Sequence, residues 1–184
     1  MAGFIPATVR EVLANLGGMS LPDGLYLLPA WLTPFTSTLI HGGFLHLALN
    51  MVMLVYCGQR VERAIGPAGF GMLFVAGAYA AAAGQWALGP QSLVPTIGAS
   101  GAASAFVAAY AMLFAERPVP AIGPIPSRVV RIAWLAAAWI GIQALVGLST
   151  ATGGPAIAVG AHIGGFAAGL ALARPLLLWR YRRA

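Results

Sequence analysis

The chain has 184 residues, of which 60% are hydrophobic and only 8% charged. A soluble domain carries about 25% charged residues, so this one lacks the polar side chains to cover a globular surface in water, and its natural solvent is lipid. The ten basic residues are all Arg and the net charge is +6, yet the arginines stand between apolar runs rather than on an amphipathic face with interleaved aromatics, which argues against a nucleic-acid partner.

The N-terminus has no basic stretch followed by an apolar core, the pattern of a secretory signal peptide. Residues 1–40 are predicted to form an extracytoplasmic or interfacial segment. Its uncharged part, 24–40, holds Pro29 and Pro34, which break a helix of that length. It reads as partly helical, with Tyr26 and Trp31 as interfacial aromatics. Five later runs approach the 20 or so apolar residues of a bilayer-spanning helix. The first is Phe44 to Cys57, extending toward Val61. The second is Pro67 to Leu88, the third Ile97 to Ala115, the fourth Val129 to Leu148. The fifth runs from Pro155 to Ala173, with a further apolar turn after Arg174. Gly66-Pro67, Pro90 with Pro95, the prolines at 118, 120, 124 and 126, and Gly153-Gly154-Pro155 punctuate them. The only cysteine, Cys57, can form no intrachain disulfide and reads as a small buried apolar residue.

Charge sets the orientation. Arg60 and Arg63 follow the first run, Arg117, Arg128 and Arg131 lie between the third and fourth, and Arg174, Arg180, Arg182 and Arg183 close the chain. With five spans these stretches share one side, and the other keeps Arg10, balanced by Glu11 and Asp23. By the positive-inside rule the arginine side is cytoplasmic. The N-terminus and the loops near 92 and 152 are then outside. Residues 41–178 form the transmembrane domain and 179–184 a basic cytoplasmic tail. The fold class is an all-α, polytopic membrane bundle.

Polar side chains inside spans are costly and mark function. They are His46, Asn50, Gln85, Ser100, Ser104, Gln143 and His162. The topology puts His46, Ser100 and His162 at one depth below the outer surface, with Asn50 one turn deeper on the face of His46. A serine needs a base to become a nucleophile, and His is the usual one. Ser100 begins a helix, where free N–H groups favour negative charge. His46 and Asn50 carry donors suited to an oxyanion. No Asp or Glu lies in an outer half-span, so the predicted catalytic unit is a dyad of Ser100 and His162. His162, Gly165 and Gly169 share one stripe, a small-xxx-small packing face, opposite a stripe of Ser100, Ser104, Ala108 and Ala111. Gln85 and Gln143 read as interhelical contacts, Glu62 with Arg63 as a junction contact, and His41 as a solvated interface residue.

Three ordered motifs resemble those of the rhomboid intramembrane serine proteases: His41-Gly-Gly-Phe-Leu-His46-Leu-Ala-Leu-Asn50, Gly98-Ala-Ser-Gly-Ala102 and Ala161-His162-Ile-Gly-Gly-Phe-Ala-Ala-Gly169, with Val61-Glu62-Arg63 and Gly66 resembling the family's junction. The resemblance runs from about residue 29 to 173. It implies a rhomboid-like core and cleavage of single-span transmembrane proteins near the outer face. It also implies Ser100 as nucleophile, His162 as base and then acid, and His46, Asn50 and the Ser100 amide as oxyanion donors. The location implied is the bacterial inner (plasma) membrane. No cofactor or metal is implied, and the oligomeric state is left open. Two features depart from the family: no complete span is found before the His-Asn helix, so that the chain is expected to be either a five-span variant or one whose given sequence starts after that span, and Ser104 stands where an aromatic often packs on the base. A rhomboid-like protein that binds transmembrane segments without cutting them is the alternative. A transporter or channel would need acidic residues or a polar stripe through several spans, and the chain has neither.

Overall fold

The computed structural model describes residues 3–9, 29, 31–114, 119–151 and 157–182, the side chains of 142–151 excepted. Arg10, Glu11, Asp23, Tyr26, Ala115, Arg117, the turn at 152–155, the Gln143 side chain and Arg183 lie outside the described residues. Among those described the fold is all helical, with no strand longer than an isolated bridge.

A single helical turn, Thr33–Thr36, continues as a tighter turn, Ser37–Leu39. Pro34 sits at its start, where a missing N–H costs nothing, so the proline that limits this helix also opens it. Then come α1 (Phe44–Met53), a π turn (Leu54–Gly58) and α2 (Gln59–Leu88). After them follow α3 (Ser100–Phe114), α4 (Ser127–Ala151) and α5 (Val159–Tyr181).

From Phe44 to Leu88 the chain is helical over 45 residues, except at Gly66, where φ is +79° and ψ is 167°. Glycine tolerates that backbone, and Pro67 has no N–H to return to the Arg63 carbonyl. The break falls at the midpoint, so each half is about as long as one bilayer crossing requires. The guanidinium of Arg180, from the last turn of α5, donates to the carbonyls of Glu62 and Arg63. It thus replaces the bonds the break removes. The junction expected at Glu62-Arg63 is therefore real, but it runs through backbone oxygens. Arg180 also shows that α5 continues through Pro175 to Tyr181, past the point at 179 where a tail was expected.

Helix α5 is the centre of the bundle, packed mainly on α2 and α3, with α4 against its outer side. The close approach is made by two pairs of glycines. A Cβ on Gly165 or Gly169 would collide with the carbonyl oxygens of Gly101 and Ala105 on α3. One on Gly160 or Gly164 would collide with the Gly84 and Ala80 carbonyls on α2. The α3 face that receives α5 includes Ser100, Ser104 and Ala108 of the expected stripe, and it adds Gly101 and Ala105, whose carbonyls the α5 glycines approach. The apolar core lies toward the Arg63 end, around Val61, Ile65, Leu73, Phe106 and Ala173, with Cys57 buried at its edge.

The exterior is apolar. On α1, Phe44, Leu45, Leu49 and Val52 are all more than half exposed. Contiguous apolar surface of this kind is untenable in water and suited to lipid. Among the described residues, two helical stretches, Phe44–Leu88 and Val159–Tyr181, are long and apolar enough to cross a membrane, and Ser100–Phe114 is apolar but shorter.

Candidate active site

The chain before α3 is bound from both flanks. Gly98 N–H donates to the Ser37 carbonyl at 2.9 Å, which ties this segment to the Ser37–Leu39 turn. Gly98 has φ +104°, a conformation that glycine adopts without strain. The turn delivers Ser100 as the first residue of α3.

His162 lies in the first turn of α5. Its Nε2 is 2.9 Å from Ser100 Oγ, a normal hydrogen bond. The glycine contacts between α3 and α5 set that distance, because a side chain at Gly165 would drive the two helices apart. Behind the imidazole, Trp139 of α4 donates its indole N–H to the His162 carbonyl at 3.2 Å. Its ring stacks on Phe166 with centroids 4.8 Å apart. Ser104, one turn after Ser100, does not reach the base. Its hydroxyl donates to the Ser100 carbonyl at 2.8 Å, a common bond for a helical serine.

His46 and Asn50 stand on the other side of Gly98. A Cβ on Gly98 would lie 2.7 Å from both Cε1 and Nε2 of His46 and 3.6 Å from Asn50 Nδ2. His46 Nδ1 accepts the Gly42 N–H at 3.3 Å. In the neutral ring the proton is therefore on Nε2, the nitrogen beside Gly98. Asn50 is buried, and its amide donates to the His46 carbonyl at 3.0 Å. That takes one of its two N–H groups.

His41 belongs to this group. Read from the sequence as a solvated residue, it instead accepts the Ala99 N–H on Nε2 at 3.4 Å, and its ring meets that of His46 edge to face at 5.2 Å. His41 thus buttresses both His46 and the backbone that presents Ser100. Its position five residues before His46, across Gly42-Gly43, was the available signal.

A narrow cavity of about 20 Å³ lies beside Ser100, bounded by Thr38, Gly101, Ala161 and Phe4, enough for one water molecule. Phe4 is 4% exposed. It forms an antiparallel bridge with Thr96, with N–H to carbonyl distances of 3.1 and 2.7 Å. Gln85 Oε1 accepts the Ala161 N–H at 3.2 Å, the interhelical role expected of it. Among the described residues no group of three His, Cys, Asp or Glu side chains is placed to share a metal ion.

The structure therefore brings the predicted residues into two adjoining clusters: Ser100 with His162, and His46 with Asn50 around Gly98. A hydroxyl on an imidazole, next to two side-chain N–H donors and a helix N-terminus, is an arrangement suited to acyl transfer. The family described as Rhomboid domain matches residues 29–179, most of the chain. No curated protein and no solved structure matches it.

Proposed function

The chain belongs to the rhomboid family, whose members are membrane-embedded, and on that premise we propose that it is an intramembrane serine endopeptidase. It cuts single-span transmembrane proteins near the outer face of a bacterial inner membrane. The observation that carries this reading is the 2.9 Å contact of His162 Nε2 with Ser100 Oγ.

The reaction follows from the placement of groups. His162 Nε2 removes the hydroxyl proton as Ser100 Oγ bonds to the scissile carbonyl carbon. The carbonyl oxygen becomes an oxyanion facing His46 Nε2–H, the second Asn50 N–H and the Ser100 amide at the start of α3. The C–N bond then breaks, and His162 returns its proton to the leaving amine. A water molecule, deprotonated by the same imidazole, bonds to the acyl carbon; the bond to Ser100 Oγ then breaks, and His162 returns the proton to Oγ. Trp139 holds the backbone of the base and the Gly165 face its distance. A protein that only bound transmembrane segments would have no use for a hydrogen-bonded dyad beside two oxyanion donors.

In this reading five helices cross the membrane: 44–65, 67–88, α3, α4 and α5. Ser100 and His162 lie toward the outside, and the arginines and the C-terminus lie in the cytoplasm. The test is reconstitution with a single-span substrate carrying a helix-destabilising residue in its span. Wild type should give two fragments and Ser100→Ala none. Identical bands from both would overturn the proposal.

A further inference from the structure

We propose that Phe4 is a positioning residue for the nucleophile: by pairing with Thr96, the segment 3–9 braces the loop that presents Ser100. Residues 89–99 lead from the end of α2 to Ser100 and form no helix. Gly89, Pro90, Pro95 and Gly98 interrupt them. Such a loop takes its shape from the partners of its backbone groups. Two of its bonds are internal and lie in its first half, Ser92 N–H to the Gly89 carbonyl and Val94 N–H to Ser92 Oγ. The second half is tied to the chain before α1. Phe4 N–H donates to the Thr96 carbonyl at 3.1 Å, and Thr96 N–H returns to the Phe4 carbonyl at 2.7 Å. Gly98 N–H then goes to the Ser37 carbonyl and Ala99 N–H to His41 Nε2. Ala7 N–H adds a bond to the Ser92 carbonyl at 3.1 Å.

The side chains of the segment anchor it. Phe4 and Pro6 are buried. The turn Pro6–Thr8 packs on α2, and the Thr8 hydroxyl closes it by donating to the Ile5 carbonyl at 2.7 Å. Phe4 and Ser100 line the same small cavity, together with Ala78, Ala81 and Ala82 of α2. His46, Asn50 and His162 are not among the residues that line it. Phe4 therefore supports Ser100 from the flank away from the base and the oxyanion donors, and it does not fill the reacting face.

Ile97 carries the support further. Its Cγ2 is 3.1 Å from where a Cβ on Gly3 would stand, and its Cδ1 is 3.8 Å from the same point on Gly42. Gly42 in turn donates its N–H to His46 Nδ1. One side chain thus lies between the segment 3–9 and the turn that orients His46. A misplacement of 1 Å in a reacting group costs about 10²-fold in rate. The bonds from Ser37 and His41 remain when Phe4 is truncated, so a smaller loss of about tenfold is expected. The effect on cleavage rests on the protease reading above; the bracing of the loop does not.

The test combines amide hydrogen exchange with cleavage kinetics on the full chain in detergent. In wild type the Phe4 and Thr96 amides should exchange at least about a hundredfold slower than in an unstructured peptide. Unprotected amides would overturn the proposal, and that measurement needs no variant. Phe4→Ala should speed exchange at Thr96 at least about tenfold and lower kcat for a single-span substrate about tenfold with KM unchanged. Phe4→Leu, which refills most of the space, should recover most of both. Phe70→Ala removes the same ring from the core near Arg63, where Phe70 packs on Phe106. It should lower Tm at least as far as Phe4→Ala does, yet leave Thr96 exchange and kcat unchanged. Unchanged Thr96 exchange or unchanged kcat in Phe4→Ala would overturn the proposal. A raised kcat would also overturn it, in favour of a segment that blocks the site. Exchange is read without cleavage, so a wild type that cuts nothing would refute the protease reading while exchange still decides the bracing.

Discussion

Gly98 lies against His46 so closely that a Cβ there would be 2.7 Å from the imidazole Nε2. At φ +104° an L side chain also carries backbone strain of about 1–3 kcal/mol. Gly98→Ala should therefore displace both the donor and the turn that presents Ser100. Cleavage should fall by at least about tenfold, the equivalent of about 1.4 kcal/mol in the barrier. A variant with wild-type kcat/KM would show that His46 and Gly98 are not part of the reacting geometry.

Asn50 tests the oxyanion assignment apart from the dyad. Asn50→Ala removes one donor while leaving Ser100 and His162 in place, and loss of one such donor lowers kcat by about 10²–10³. KM for a transmembrane substrate should change little, because the interaction strengthens only in the transition state. A rise in KM with unchanged kcat would make Asn50 a binding residue instead.

Packing of α5 on α3 sets the distance between base and nucleophile. Gly165→Val would push a branched side chain into the Gly101 carbonyl. Overpacking costs about 1–3 kcal/mol, so unfolding in detergent should occur at lower temperature. Labelling of Ser100 by a fluorophosphonate should drop in parallel. Gly141, with nothing within 4 Å of its Cβ direction, is the control: Gly141→Val should leave both readouts unchanged.

These three sites differ in how far the sequence foretold them. His46, Asn50, Ser100 and His162 could be picked out because each is a polar group in an apolar run, where burial is costly. The glycine stripe at 165 and 169 was legible from its spacing. Its counterpart on α3 was legible at Ser100, Ser104 and Ala108 but missed Gly101 and Ala105, since Ser, Ala and Gly are nearly equivalent in packing and leave the edges of the helix face weakly marked. His41 was read as solvated because it precedes the first apolar run, and only the tertiary turn brings its ring to Ala99. Trp139 gave no signal at all, as an aromatic in an apolar span has many uses. The second glycine face of α5, at 160 and 164, was hidden by the Gly-rich sequence around it.

Arg180 was counted with a basic tail, and its position on the Glu62 and Arg63 carbonyls gives it a structural task. A hydrogen bond to a charged group contributes about 1.5–3 kcal/mol; for an exposed side chain the lower end applies. Arg180→Ala should lower the melting temperature in detergent. Arg182→Ala, whose side chain lies over Trp179, should change it less. The reverse order would place the junction's support elsewhere.

The orientation has its own check. A C-terminal reporter that is active only outside the cytoplasm should be silent when fused after residue 184. Activity there would invert the arginine partition.

The central claim is that Ser100, activated by His162, is a nucleophile. Covalent capture by a fluorophosphonate probe, with the adduct located by peptide mass spectrometry, tests it most directly. The probe should modify Ser100 in wild type, and labelling should vanish in both Ser100→Ala and His162→Ala. Labelling of another serine, or of Ser100 at an undiminished rate in His162→Ala, would contradict it.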